Sequence, residues 1–138
     1  MSRRLRPLPP GSTLGILGGG QLGRFLTMEA RSMGYRVRVL DCDPHAPCAQ
    51  AAHAHARVPF DDIRAVLAWA KDCAAVTYEF ENVPARTVLA LEKAGVIVRP
   101  SSLPLSVSQD RLVEKEFALR RGVPVAPFAP VRSAEELE

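Results

Sequence analysis

A run of glycines followed by a polar residue is the segment of this sequence best suited to hold a ligand. The segment LGILGGGQLGR places Gly18, Gly20 and Gly23 in a G-x-G-x-x-G pattern. Glycines allow a sharp turn and let a bound group approach the backbone without meeting a Cβ. If this turn opens a helix, the amides near Gln21 and Leu22 offer free donors to a phosphate. The pattern predicts either a phosphate-bearing ligand or, as a purely structural alternative, a tight strand-to-helix turn.

Acidic side chains follow the predicted strands that flank this turn. Asp41 ends the second strand, where dinucleotide-binding proteins keep a ribose-binding acid, so a nicotinamide or flavin cofactor is one interpretation. Glu79 and Glu81, in TYEFENVP, follow an apolar run, and open α/β sheets bind ligands beyond the carboxyl ends of their strands. Such carboxylates accept hydrogen bonds from ribose hydroxyls or an amine. We expect Glu79 to face the ligand, whereas Glu81 is equally well explained as a solvated loop acid.

Arg111 is the candidate phosphate contact in the second half of the chain. It stands in QDRLVEK, at the start of a predicted helix, where a guanidinium can grip a phosphate through two hydrogen bonds. Taken alone, the same residue is more typical of an exposed surface arginine.

The segment DCDPHAPCAQAAHAH gathers thiols and imidazoles without a metal-binding spacing. Its candidate ligands are Cys42, His45, Cys48, His53 and His55. The spacing matches none of the usual zinc patterns, so we predict a surface loop and no metal site. Without an export signal, the cysteines are expected to be reduced thiols.

Alternating strands and helices must position these residues. Apolar runs predict strands over residues 13–18, 35–41, 56–59, 74–79 and 96–98. Segments with helical period separate them, the first carrying an apolar stripe of Leu22, Phe25, Leu26, Ala30 and Met33. This alternation predicts βαβ units and therefore an α/β, doubly wound parallel sheet.

After residue 100 the alternation stops. The sequence predicts a short irregular helix, a firm helix over residues 111–122 and an extended proline-spaced segment. Ser133 and Glu136 then have the spacing of a capping box that opens a further helix. We therefore expect the chain to be a fragment whose second domain continues beyond it.

Composition limits the class of protein. The chain has 138 residues, of which 47% are apolar, enough for about one globular domain. No apolar run approaches the ~20 residues of a membrane span, and MSRRLRPLPPG lacks the apolar core of a secretory signal. The formal charge of +3 equals the contribution of Arg3, Arg4 and Arg6. We expect a cytoplasmic protein that binds neither nucleic acid nor membranes.

Five segments taken together resemble one family. They read GILGGGQLGR, DCDPHAPCAQAA, VTYEFENVP, SQDRLVEKEF and GVPVAPF. In this order they are similar to the N-terminal part of the 5-(carboxyamino)imidazole ribonucleotide synthases, ligases of the ATP-grasp superfamily. The resemblance implies a basic Pro-rich tail over residues 1–12 and a Rossmann-like pre-ATP-grasp domain over 13–100. A linker helix and the start of a truncated ATP-grasp domain then occupy residues 101–138.

The resemblance also implies a reaction and a site. Such ligases join bicarbonate to the amine of 5-aminoimidazole ribonucleotide in purine biosynthesis, while ATP is converted to ADP and phosphate. The resemblance assigns binding of the substrate ribonucleotide to Gly20, Gln21, Leu22 and Glu79, and it assigns binding of ATP to Arg111. Catalytic groups and magnesium ligands are expected outside this chain, which alone should be inactive, and the whole protein should be a homodimer. The resemblance leaves Asp41 without a role.

Other functions remain open at this stage. A dinucleotide-binding oxidoreductase or regulatory module would use Gly18, Gly20, Gly23 and Asp41. A formate-dependent glycinamide ribonucleotide transformylase shares the expected layout, and a non-catalytic interaction domain needs none of these residues. Glu79 together with the QDR segment favours the carboxylating ligase.

Overall fold

The computed structural model describes residues 7–137 and contains one parallel sheet with helices on both faces. The strands are β1 (Thr13–Leu17), β2 (Arg36–Leu40), β3 (Ala54–Ala56) and β4 (Ala75–Tyr78). The helices are α1 (Gln21–Ser32), α2 (Ile63–Ala70), α3 (Ala85–Lys93), α4 (Ser102–Ser108) and α5 (Arg111–Arg120). Short 3-10 helices cover Pro47–Gln50 and Ala134–Leu137. The predicted α/β class is confirmed, and the arginines of the predicted tail lie outside the described residues.

The sheet order β3-β2-β1-β4 brings the ends of three strands together. All pairs are parallel, and Leu17 of β1 lies beside Leu40 of β2 and Tyr78 of β4. Parallel strands end at the same edge of a sheet. The residues that follow these positions, Asp41 and Glu79, therefore flank the glycine turn.

The larger core lies on the sheet face covered by α2, α3 and α4. Its buried side chains are Leu17, Leu40, Val66, Trp69, Ala70, Val76, Val83, Val88, Leu91, Val98 and Leu105. Asp62 caps α2, since its carboxylate accepts a hydrogen bond from the amide of Ala65 at 3.0 Å. The face under α1 holds a smaller cluster of Ile16, Ala30 and Val37.

Helix α1 forms where the apolar spacing predicts it, but it packs through small residues and most of its apolar stripe is exposed. The buried residues of α1 are Gly23, Thr27 and Ala30. Leu22 and Met33, by contrast, are 66% and 62% exposed. A Cβ at Gly23 would come within 2.9 Å of the Gly18 carbonyl oxygen. The helix therefore lies so close to the glycine turn that only its small side chains fit beneath it.

Two strand predictions need correction. The third strand was expected at residues 56–59 but covers Ala54–Ala56, and Pro59 has no amide with which to extend the ladder. The fifth strand, expected at residues 96–98, is only an isolated parallel bridge between Val76 and Val98. This short segment lies between Gly95, which has a φ of +82°, and Pro100.

The segment after α5 is irregular, as the sequence predicted for the proline-spaced region, because residues 123–132 form neither helix nor strand. The predicted reciprocal capping box is not formed, because the Glu136 carboxylate accepts from the amide of Arg132 at 2.7 Å and not from Ser133. Only a 3-10 turn follows. Within residues 7–137, no helix combines the length and apolarity that a membrane crossing requires.

Candidate functional site

The glycine turn between β1 and α1 is held by the carboxylate of Glu79. The amide of Gly20 donates to Oε1 of Glu79 at 2.8 Å, and the amide of Gly23 donates to Oε2 at 2.7 Å. The Glu79 amide in turn donates to the Leu17 carbonyl at 3.2 Å. The first amides of a helix lack intrahelical partners and attract negative charge. Glu79 therefore caps α1 from a neighbouring strand, 56 residues further along the chain.

Asp41 holds the other side of the turn. Its Oδ2 accepts from the Gly19 amide at 2.7 Å, and its Oδ1 accepts from the Asp43 amide at 2.8 Å. The second contact is an Asx turn, in which the side chain bonds to backbone two residues later. The structure thus gives Asp41 a role that the sequence left open, which is to join the loop after β2 to the glycine turn.

The glycines make room for these side chains. A Cβ at Gly18, whose φ is +104°, would lie 2.6 Å from Cγ of Glu79, and one at Gly20 would lie 2.6 Å from Oε1. A Cβ at Gly19 would lie 2.6 Å from that of Ala46. These positions therefore have no side chain because the carboxylates and loops of the protein itself approach the backbone there. The amides of Gly19, Gly20 and Gly23 are thus occupied by the protein itself, whereas the sequence expectation of free amides concerned Gln21 and Leu22.

Two amides remain available to a ligand. In the part of the chain that the structure describes, nothing accepts a hydrogen bond from the amides of Gln21 or Leu22. Each carboxylate oxygen has two lone pairs, so each oxygen of the half-buried Glu79 retains one acceptor position. The site consequently offers paired acceptors beside paired donors. Such a set suits a sugar with adjacent hydroxyls.

The same geometry disfavours a phosphate at the centre of the turn. A dinucleotide pyrophosphate would use the amides that Glu79 and Asp41 already occupy, and it would meet both carboxylates at close range. Asp41 is also directed to backbone amides. These contacts argue against the dinucleotide-binding alternative.

The loop after β2 packs its cysteine under the turn. The amide of Cys48 donates to the Gly19 carbonyl at 2.8 Å, and its Sγ lies 3.0 Å from Oγ1 of Thr27. Burial raises the pKa of the Cys48 thiol, and the charges of Glu79 and Asp41 raise it further, against the Thr27 hydrogen bond. Cys48 is therefore a neutral packing group beneath the site.

The imidazoles and thiols of this region do not converge. His53 Nδ1 accepts from the Val37 amide at 3.0 Å, and His55 Nε2 lies 3.0 Å from the Asp41 carbonyl oxygen. Cys42 is exposed and Cys48 is buried. Among residues 7–137, no three histidine, cysteine or acidic side chains are grouped to hold a metal ion.

Arg111 lies at the first position of α5. Its neighbour Asp110 caps the helix by accepting from the amides of Leu112 and Val113 at 2.8 and 3.0 Å. The exposed Arg111 guanidinium pairs with Glu114 in the same helix. ATP binding by Arg111 stays a prediction, as does ribonucleotide binding by Gly20, Gln21, Leu22 and Glu79.

Gln109 forms two hydrogen bonds that sequence reasoning missed. Its Nε2 donates to the carbonyl oxygens of Glu81 and Val83 at 2.6 and 2.8 Å. The residue stands beside Arg111 in the QDR segment, but nothing in its type or spacing reveals acceptors 26 and 28 residues away.

Comparison with known proteins identifies the family. A family model of the ribonucleotide synthetase preATP-grasp domain matches residues 12–109. The chain belongs to this family. The matched region of this pre-ATP-grasp domain contains the glycine turn, Asp41, Glu79 and Gln109.

Curated relatives carry the function that the resemblance implied. The N5-carboxyaminoimidazole ribonucleotide synthase of Brucella melitensis is 40% identical over 130 residues, which are 94% of this chain and 36% of that protein. The enzyme of the same name from Staphylococcus aureus is 38% identical over 129 residues, 93% of this chain and 34% of the relative. The chain thus spans about a third of the length of these relatives, and its resemblance to their N-terminal part is confirmed.

Solved structures of enzymes with nearly the same name also match this chain. An N5-carboxyaminoimidazole ribonucleotide synthetase in complex with ADP matches with a TM-score of 0.88 at 41% identity, over 94% of this chain and 34% of that one. The Aspergillus clavatus enzyme in complex with ADP and 5-aminoimidazole ribonucleotide matches with a TM-score of 0.76 at 33% identity. That match covers 86% of this chain and 31% of the fungal one.

Proposed function

We propose that the protein containing this chain carboxylates 5-aminoimidazole ribonucleotide in purine biosynthesis. Bicarbonate becomes attached to the exocyclic amine as a carbamate, while ATP is hydrolysed to ADP and phosphate. The family membership and the names of the relatives support this activity. The single observation in this chain that carries the proposal is the Glu79 carboxylate, which is fixed at the open edge of the glycine turn.

The proposed role of this domain is to hold the sugar of the ribonucleotide. The free lone pairs of Glu79 accept from ribose hydroxyls, and the amides of Gln21 and Leu22 donate to oxygens of the substrate. Gly20 contributes by its lack of a side chain, because a Cβ there would reach Oε1 of Glu79. The charged substrate phosphate is better placed away from Glu79 and Asp41, since their like charges oppose it.

ATP and magnesium complete the proposal. Arg111, exposed at the start of α5, would contact ATP and supply positive charge to its phosphates. The residues described here include no cluster suited to Mg²⁺, so its ligands are proposed to lie in the remaining two thirds of the protein. This division supports a pre-ATP-grasp domain over residues 13–100, with residues 101–138 beginning the ATP-grasp part.

The proposal includes a cytoplasmic homodimer. Exposed apolar side chains on α1 support an interface there, because large apolar residues grouped on one helix flank are typical of surfaces that meet a partner. Leu22, Leu26 and Met33 form this α1 strip, with exposed fractions of 66%, 44% and 62%.

A substrate-omission assay tests the reaction. The complete protein is incubated with ATP, bicarbonate and aminoimidazole ribonucleotide, each omitted in turn, and ADP release is recorded by a coupled assay. We expect ADP only when bicarbonate and the ribonucleotide are both present. ADP release that is indifferent to the ribonucleotide would contradict the proposal, and dependence on formate and glycinamide ribonucleotide would support the transformylase instead.

A further inference from the structure

Gln109 joins the segment that carries Glu79 to the helix that carries Arg111. Its Nε2 donates both hydrogens to backbone carbonyls, one at Glu81 and one at Val83. A glutamate of the same size could not make these two contacts, since a carboxylate has no hydrogen to donate. Gln109 is also the C-cap of α4 and directly precedes Asp110, the N-cap of α5.

Helix α4, which ends at Gln109, is attached to the core and to the sheet. Leu105 of α4 is fully buried in the core. At the start of α4, Glu92 accepts from the hydroxyl of Ser102 at 2.6 Å and from its amide at 3.2 Å. The Tyr78 hydroxyl, at the end of β4, donates to the Ser101 carbonyl at 3.2 Å. Helix α4 is thus tied to the sheet, so Gln109 can hold the loop without moving itself.

The loop that Gln109 holds has few other attachments. Phe80 packs edge-on against Phe60, with ring centroids 5.6 Å apart, and Val83 is fully buried. Between them, Glu81 is exposed, and its carbonyl accepts only from Gln109 among the contacts of residues 7–137. At Glu81, two residues after Glu79, the closure of this short loop therefore depends on Gln109.

We propose that Gln109 is a positioning residue that fixes the Glu79 loop against the start of α5. It sets the orientation of the Glu79 carboxylate and ties the sugar site to the helix that presents Arg111. This inference rests on the proposed function and extends it, because it assigns to the QDR segment a role in ribonucleotide binding as well as in ATP binding.

Gln109→Glu is the sharpest variant, since it keeps the size of the side chain and removes both donors. In the complete protein we expect the KM for the ribonucleotide to rise about tenfold, the scale for losing two neutral hydrogen bonds that water partly replaces. The kcat should change by less than about twofold, because no group at the reacting atoms is altered. Ser106→Ala is the matched control, since the exposed Ser106 hydroxyl contacts only Leu103 in its own helix.

A double-mutant cycle separates positioning from general damage. If Gln109 acts through Glu79, the tenfold effect should shrink to about twofold in a Glu79→Gln background, because residues in one network are not additive. A full tenfold effect in that background would overturn the proposal, as would an unchanged KM in Gln109→Glu.

Amide hydrogen exchange tests the clamp without any substrate. The amides of Gly20 and Gly23 donate hydrogen bonds to the Glu79 carboxylate. In Gln109→Glu, the hydrogens of these two amides should exchange at least about threefold faster. The Ala65 amide, capped by Asp62 elsewhere in the chain, should be unchanged; acceleration there as well would mean general destabilisation and overturn the proposal. Unchanged exchange at Gly20 and Gly23 would also overturn it. This readout holds even if the omission assay rejects the proposed reaction, so the two failures are distinguishable.

Discussion

At the scale of single residues, the chain uses negative side chains where its glycine pattern suggested an empty anion site. Glu79 and Asp41 occupy the amides of Gly19, Gly20 and Gly23. Charge-assisted hydrogen bonds of this kind are stronger than neutral ones. The turn is therefore held in place by the protein itself, and under the proposed function its remaining hydrogen-bonding capacity binds hydroxyl groups.

Glu79→Gln tests this capping role through stability. A glutamine can accept from one of the two amides, but its NH₂ faces the other amide and leaves it unpaired. We expect the free energy of unfolding to fall by about 1–3 kcal/mol, the range for hydrogen bonds to charged groups. Urea unfolding of the chain, followed by the fluorescence of the buried Trp69, its one tryptophan, measures the change.

Glu81→Gln is the control for that experiment. It makes the same chemical change two residues further along, on an exposed side chain that forms no hydrogen bond or ion pair with the residues the structure describes. The expected effect is within about 0.5 kcal/mol. If both variants unfold at the same urea concentration as the unaltered chain, Glu79 does not stabilise α1.

The sequence predicted which residues surround the site but not how they pair. Glu79 was placed beyond a strand end because an apolar run stops directly before it, and the sheet order confirms that position. The pairing of Asp41 with Gly19 and of Gln109 with the Glu81 carbonyl joins residues 22 and 28 positions apart. Such pairs depend on tertiary placement, which neither spacing nor residue type encodes.

At the scale of the elements, α1 is the helix that sequence periodicity described least well. Period analysis identifies an apolar stripe but cannot tell whether the sheet or a partner covers it. Thr27 and Gly23 face the sheet because the glycine turn and Cys48 lie too close for larger side chains. Gly34 and Gly95, which follow the ends of α1 and α3, adopt the positive φ typical of helix termini.

The exposed α1 strip leads to a prediction about assembly. If it forms the dimer interface, Leu26→Glu places a charge in that interface and should shift the complete protein towards the monomer, at a protein concentration where the unaltered form is dimeric. Sedimentation velocity measures the shift. Met28→Glu, on the opposite flank of α1 at a residue that is 50% exposed, should leave the dimer intact. A dimer that tolerates both substitutions would place the interface elsewhere.

At the scale of the whole molecule, the proposed function makes this chain one part of a larger site. The family model ends at residue 109, and the relatives are about three times as long as the chain. The proposed function assigns the sugar of the ribonucleotide to this domain and the metal ligands to the rest of the protein. Gln109, directly before the N-cap of α5, bonds to the loop that follows β4 at the carboxyl edge of the sheet.

Ribonucleotide binding by the complete protein, with and without the Glu79 carboxylate, tests the central claim most directly. Isothermal titration should show that Glu79→Gln weakens binding of aminoimidazole ribonucleotide by about 1–3 kcal/mol, the scale for hydrogen bonds to a charged acceptor. The affinity for ATP should stay within about twofold, because Glu79 is not proposed to contact it. An unchanged affinity for the ribonucleotide in a variant that remains folded would remove Glu79 from the site and contradict the account.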